Sequence, residues 1–339
     1  MMRRALAAAL ILGLAACAAP GPDGDAPATG PRPLPRPEQQ AKAPDTQAEL
    51  RRARAERNRE ANAAARQAAA RPSPASQSQR DLYAAAERRL VAQGRLRRDR
   101  VPLDAPINAE ILARNFIEIA LRDEYLAGGG LARGGAAAPL RRWQVPVRMQ
   151  IEFSASIDMA ARPAWRAEVG DYAARLSSIT GHPVSMTAER GNFTILVLTE
   201  DERRAIGPRL AQLVPGIPAR DLSMVAELPA TISCAVFAYS EGGRPDYARA
   251  VAVIRAELPP LLRSSCIHEE LAQGMGLAND SPDARPSIFN DDEEFALLTR
   301  HDELLLQMLY DPRLHPGMSE AEAAPIIRRI AAELMGEAA

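Results

Sequence analysis

Cys266-Ile-His-Glu-Glu-Leu-Ala-Gln-Gly-Met-Gly-Leu-Ala-Asn-Asp280 sets several polar side chains at a chemically meaningful spacing inside an apolar frame. In a helix, residues four apart stack, so Glu269 lies above Gln273, and Glu270 flanks them on the same half. Ile267, Leu271 and Met275 take the opposite half, and the helix is expected to bury that stripe and turn its acids elsewhere. Gly274 and Gly276 supply the stop, and Asn279 and Asp280 come back on the following turn.

Pro259-Pro260 opens this helix well, because its first turn has no use for the amide hydrogens that proline lacks. Upstream, residues 193–198 and 232–238 are the clearest strands, the second apolar enough to be central in its sheet. Residues 145–154 alternate Val147, Met149, Ile151 and Phe153 to one side, as a half-buried strand would. Helical spacing is present over 80–97, over 108–126 with Asn108 as N-cap, over 163–179 and over 246–258. Residues 128–138 form a small-residue loop, and Ser319-Glu320-Ala321-Glu322 is a capping box for a closing helix built on Ile326, Ile327, Ile330 and Leu334. The reading is α+β, folded from about Arg80.

A chain of 339 residues is long enough for two domains, but its N-terminal third argues against that count. Residues 1–16 carry Arg3 and Arg4 and then an apolar run too short to span a membrane, which suits a secretory signal. Leu14-Ala15-Ala16-Cys17 is a lipobox, so Cys17 is expected to become the acylated N-terminus and to hold the protein to a lipid bilayer. Ala18 stands where a retention aspartate would favour the inner membrane, which points to the outer membrane and its periplasmic face. Residues 17–79 are rich in Pro, Ala, Gln and Arg with little to bury and read as a tether, in which residues 45–71 form a solvated single helix. Acids balance the arginines and lysine appears only at Lys42, so nucleic acid is not an expected partner. Cys234 and Cys266 remain in what would be an oxidising compartment and are expected to pair, closing loop 235–265 at a gain of roughly 3–4 kcal/mol.

Glu269, Glu270, Gln273, Gly276 and Asn279 stand in the register of His-Glu-x-x-His-x-x-Gly-x-x-His, and the stretch resembles the motif of the metzincin zinc peptidases. The base position Glu270 and the turn position Gly276 are kept, while Glu269, Gln273 and Asn279 replace the histidines. Ser287-Ile288-Phe289-Asn290 resembles the metzincin methionine turn with Phe289 in place of methionine, and residues 298–303 and 306–310 resemble the closing metzincin helix. The resemblance implies a metzincin-like, zincin-type α+β domain over 141–339, with a mixed sheet, an active-site-like helix and added terminal helices, preceded by a helical part over 80–140. The region from about Arg80 to Leu334, with Phe116, Arg142-Trp143 and the run from Glu269 to Asp280, also resembles the bacterial domain-of-unknown-function family twenty-nine twenty-seven. That likeness implies a lipoprotein and supplies no reaction.

Glu269, Gln273 and Asn279 offer only oxygens, whereas zinc at a three-ligand site prefers nitrogen or sulfur, so tight zinc binding is not expected. His268 projects into the apolar half and reads as structural; His182, His301 and His315 read as surface or capping residues. Asp291, Asp292, Glu293 and Glu294 read as a solvated loop, with a calcium loop as the alternative. Two functions stay open. The first is a non-catalytic envelope lipoprotein that binds or scaffolds an envelope protein or peptide without a cofactor. The second is a metallopeptidase-like hydrolase in which Glu270 is the general base toward water on an oxygen-ligated divalent cation. A purely structural network, with Glu269, Gln273 and Asn279 satisfying buried backbone groups, is the third alternative.

The lipobox carries its own test. Cys17→Ser is expected to release the protein into soluble fractions or to leave it as uncleaved precursor; a processed, acyl-bearing mutant protein in the membrane fraction would refute the assignment.

Overall fold

The computed structural model describes residues 46–69, 72–125, 133–290 and 292–337; Cys17 and the leader lie outside them, as does Asp291. The chain divides into two compact units, residues 1–58 and 59–339. Helix α1 (Thr46–Ala69) covers the stretch expected to form a solvated helix, and its described side chains, residues 49–60, are all exposed. No helix among the described residues is long and apolar enough to cross a membrane.

In the second unit, α2 (Pro74–Ala92) starts ahead of the expected Arg80, because Ser73 accepts the amide hydrogen of Ser76 and Pro74 occupies the first turn. Helix α3 (Ala109–Ala120) is capped by Asn108, whose side chain accepts from the Ile111 amide at 2.8 Å. Strands β1 (Arg122–Tyr125) and β2 (Arg133–Ala137) make an antiparallel ribbon, so the expected small-residue loop is partly strand. Strand β3 (Val147–Phe153), helix α4 (Arg162–Thr180), strand β4 (Val184–Met186) and strand β5 (Phe193–Leu198) follow, then three short helices α5 (Glu200–Arg204), α6 (Gly207–Leu213) and α7 (Ala219–Ala226). Strands β6 (Cys234–Ser240) and β7 (Tyr247–Arg255) precede α8 (Pro260–Gln273), α9 (Arg300–Leu309) and α10 (Glu320–Met335).

The fold is α+β, with a mixed five-stranded sheet in the order β4-β3-β5-β7-β6. All neighbours run parallel except β6, which is antiparallel to β7 and forms one edge. Residues 246–258, expected to be helical, are therefore mostly a strand. Ala250, Ala252 and Ile254 face the larger core, and Val251 and Val253 face a smaller one with Leu196, Leu198, Leu210 and Val225. An inner strand covered on both faces loses its polar alternation, and its alanines then read as helix formers. The expected centrality of 232–238 is also overturned: β6 is apolar at an edge because both its faces are covered, with Cys234 bonded to α8 and Val236 and Ala238 against the larger core, while Phe237 and Tyr239 pack on the smaller one.

The end of β7 is tied down by charge. Arg255 and Arg203, each 1% exposed, both grip Glu200, and the Arg203 pair spans 2.9 Å. Arg255 also donates to the carbonyls of Leu228, Pro229 and Ile232 at 2.8, 3.0 and 3.0 Å, which holds the lead-in to β6. His301, expected as a surface or capping residue, is fully buried, with Nε2 3.1 Å from the Asn115 side-chain nitrogen, because α9 is covered by α3 and α10.

Glu200→Gln would leave two buried guanidinium groups short of a counter-charge. Urea denaturation is expected to show a loss of about 3–5 kcal/mol; a loss under about 1 kcal/mol would mean that water or the carbonyls already satisfy both arginines.

Candidate functional site

Helix α8 begins at Pro260, as the proline pair predicts, and buries Ile267 and Leu271 completely, with Met275 following in the same stripe. Its stop has a steric cause. A Cβ on Gly274 would lie 2.4 Å from Phe193 Cζ of β5, and one on Gly276 would lie 2.4 Å from the Arg141 carbonyl oxygen. Gly276 also has φ +128°, a conformation that side chains resist. The Gly274 carbonyl accepts from Trp143 Nε1 at 2.8 Å, and the Met275 carbonyl from the Tyr310 hydroxyl at 3.0 Å, so the turn is clamped as well as close-packed.

The half of α8 left over faces β6 across a cleft of about 250 Å³. The Cys234 and Cys266 sulfurs are bonded at 1.96 Å, tying the first residue of β6 to the middle of α8 at one side of that cleft. Its polar lining consists mainly of Glu269, Glu270, Gln273, Asp280 and Glu293, and includes no basic side chain among the described residues. Glu270 and Gln273 are buried, Glu269 half-buried. Gln273 Nε2 donates to Asp280 Oδ1 at 3.0 Å. Crowding by the surrounding protein, with the fields of Asp292 and Asp280 adding to it and Arg95 opposing it, raises the Glu293 carboxyl above the usual carboxylate range even though the residue is exposed at the mouth of the cleft.

The expected constellation is thus assembled with one exchange. Asn279 does not line the cleft. Its side-chain amide donates to the Glu118 carbonyl at 2.8 Å and its backbone amide to the Ile119 carbonyl at 3.0 Å, closing the end of α3. Asp280 takes the place beside Gln273, because the chain leaves Gly276 at a positive φ and buries Leu277 before it turns back. Phe289 is fully buried, and its turn is fixed by Ser287, whose hydroxyl donates to Asp302 Oδ1 at 2.5 Å; Ile288 reaches the cleft wall. His268 lies outside the cleft: Nδ1 accepts from the Leu298 amide at 3.0 Å and the ring stacks on Tyr172 at 4.1 Å.

Carboxylate oxygens of Glu269 and Glu270 and the Cys234 sulfur lie within 4.8 Å of one another. The sulfur is spent in the disulfide and supplies no thiolate, so the donors that remain are carboxylates. Such a set fits a hard cation or an ammonium group and does not fit catalytic zinc. Asp292 and Glu293 are exposed, as a solvated acidic run would be, and Glu293 also borders the cleft, which sequence reading did not foresee; nor did it foresee Glu87 of α2. Glu87 Oε2 accepts from the amides of Leu261 and Leu262 at 2.9 and 3.0 Å, capping α8 where Pro259 offers no side-chain cap.

Two measurements check this geometry. Gly276→Ala is expected to cost more than about 2 kcal/mol in chemical denaturation, from backbone strain together with overpacking. His268 is pushed down from 6.5 to about 3, by burial and then by Arg175. It is therefore neutral in the native state but takes up a proton in the unfolded chain below pH 6.5, so stability falls as pH drops from that value toward the native one, by up to about 1.4 kcal/mol per pH unit. His268→Gln should flatten that slope between pH 6.5 and 5; an unchanged slope would assign it to other groups.

No curated protein and no solved structure matches the chain. One family model does, over residues 109–329, a span that includes both walls of the cleft and the Gly276 turn. The chain belongs to the family described as Protein of unknown function (DUF2927).

Proposed function

We propose that this protein is a binding module of the cell envelope, anchored through acylated Cys17, whose cleft takes an extended, positively charged polypeptide segment along the open edge of β6. The observation that carries the reading is a strand edge, paired by no other strand among the described residues, standing over an acidic floor. The Ala250 amide bonds back to Asn192 and the Arg255 amide to Ser233, which sets the parity of β7. Across the antiparallel ladder, Ala235 and Phe237 then use their backbone groups on β7, while those of Val236 and Ala238 turn outward. Outward amides and carbonyls at a sheet edge are what an added strand uses, and side chains of the added strand meet whatever lines the floor. Here the floor is Glu269, Glu270, Asp280 and Glu293, so a lysine, an arginine or a free amino terminus fits and an acidic segment does not.

A metzincin-like plan is part of the proposal. It is supported by the succession of sheet, polar-faced helix, glycine turn, buried Phe289 turn and closing helix α9, with the edge strand facing the helix across the cleft. A second reading, hydrolysis with Glu270 as base, is favoured by one observation: Glu269 and Glu270 present oxygens within 4.8 Å of each other, close enough to bind one hard divalent cation together.

Fluorescence anisotropy with labelled extended peptides tests both, using the unlipidated full chain. Lysine-rich peptides are expected to bind, more weakly as salt rises, and Glu269→Gln to weaken them roughly ten-fold, or about 1.4 kcal/mol. Val236→Pro removes an outward amide without touching the β7 ladder and is expected to abolish binding with the fold intact. Equal binding of glutamate-rich peptides would sink the cationic reading. Cleavage of the peptide that disappears in Glu270→Gln, with binding retained, would establish the hydrolase instead.

A further inference from the structure

Helix α2 lies outside the residues that the family model matches, yet it contacts Leu262 in one wall of the cleft and Ala230 at the entry to the other. Three of its side chains reach across. The Ser76 hydroxyl, 1% exposed, donates to Glu257 Oε1 at 2.6 Å, and the same oxygen accepts from the Glu200 amide at 2.8 Å. The Tyr83 hydroxyl donates to the Ala230 carbonyl at 2.8 Å, immediately before residues 231–233, which line the cleft as they lead into β6. Glu87 caps the first turn of α8, where Leu262 lines the cleft from the other side.

We infer that α2 is a strap by which the N-terminal segment sets the width of the cleft. The three contacts are spread along α2 and reach different elements, so a displacement of the helix acts on the β6 lead-in and on the start of α8 together. Glu87 is the sensitive point. Helix α8 receives no capping side chain of its own, and a carboxylate on its leading amides both satisfies the amides and offsets the positive end of the helix. When α2 is withdrawn, the lead-in keeps the Arg255 bonds to Leu228, Pro229 and Ile232, and the walls keep the Cys234–Cys266 bond. The walls therefore loosen without the sheet coming apart. In an anchored protein, the tether enters through α2, so tension or a partner acting on the tether reads out at the cleft. The regulatory meaning rests on the binding function proposed above; the mechanical coupling does not.

Hydrogen exchange on the unlipidated full chain, read by mass spectrometry, tests the coupling without any ligand. The double variant Tyr83→Phe, Glu87→Gln is expected to exchange roughly ten-fold faster over residues 230–236 and 261–266, while β3 and β5 keep their protection. Leu82→Ala, at a half-exposed position of the same helix, is expected to change neither segment. Unchanged exchange in both segments would overturn the strap, and so would an equal rise across β3, β5 and β7, which would make α2 a plain part of the core. Lysine-rich peptide binding to the double variant is the second readout, expected to fall at least roughly five-fold. If the wild-type chain binds no such peptide but the exchange pattern holds, the binding proposal fails and the strap stands.

Discussion

Arg255 closes β7 with a guanidinium that meets almost no solvent, and the surroundings of the cleft depend on where it is held. Its charge is met by Glu200 at the start of α5, and its remaining hydrogens go to three carbonyls of the segment between α7 and β6. One buried cation thereby fixes the exit of the parallel strands, the short helices over the smaller core and the entry to the antiparallel edge. Arginine suits this post because its planar fork serves several acceptors at once and it does not lose its proton on burial. A hydrophobic replacement would leave the carbonyls and Glu200 to find partners elsewhere, in a region with little water to supply them.

How the cleft is built follows from two close approaches. Phe193 of β5 sits against Gly274, with Trp143 stacked on Phe193 at 6.4 Å, so the end of α8 is pressed onto the middle of the sheet. The Arg141 carbonyl sits against Gly276, where the chain must turn. Side chains at either glycine would push the helix away from the strands and carry Glu269, Glu270 and Gln273 with it. The disulfide holds the same helix two turns earlier, at its middle, where Cys266 meets Cys234.

Much of this is written locally. The Pro259-Pro260 start of α8, the Asn108 cap, the Ser319 capping box and the apolar stripe of α8 are short-range features, and each lies where spacing puts it. The Cys234–Cys266 bond joins the two cysteines that remain once Cys17 is set aside for the lipobox, so that pairing needs no knowledge of the fold. What local pattern does not carry is neighbourhood. Residues 250–253 alternate alanine and valine, a pattern with no polar face to show which period applies, and only burial between β5 and β6 makes them part of a strand. Edge or centre is likewise invisible for β6, since packing above and below can make an edge as apolar as an interior. The one-residue exchange of Asn279 for Asp280 depends on the path after Gly276, and the Glu87 cap joins residues 174 positions apart. His301 is buried by helices that join it only in the folded chain.

A strand edge left open on a protein surface is ordinarily an invitation to other copies of the same chain. Two molecules meeting edge to edge at β6 would bring their carboxylate-lined floors into one enclosed space, with like charges facing each other. The same acids that would select a cationic guest therefore discourage sheet continuation from one copy to the next. At the high local concentrations where copies meet often, that electrostatic self-avoidance would keep the chain from polymerising along the edge.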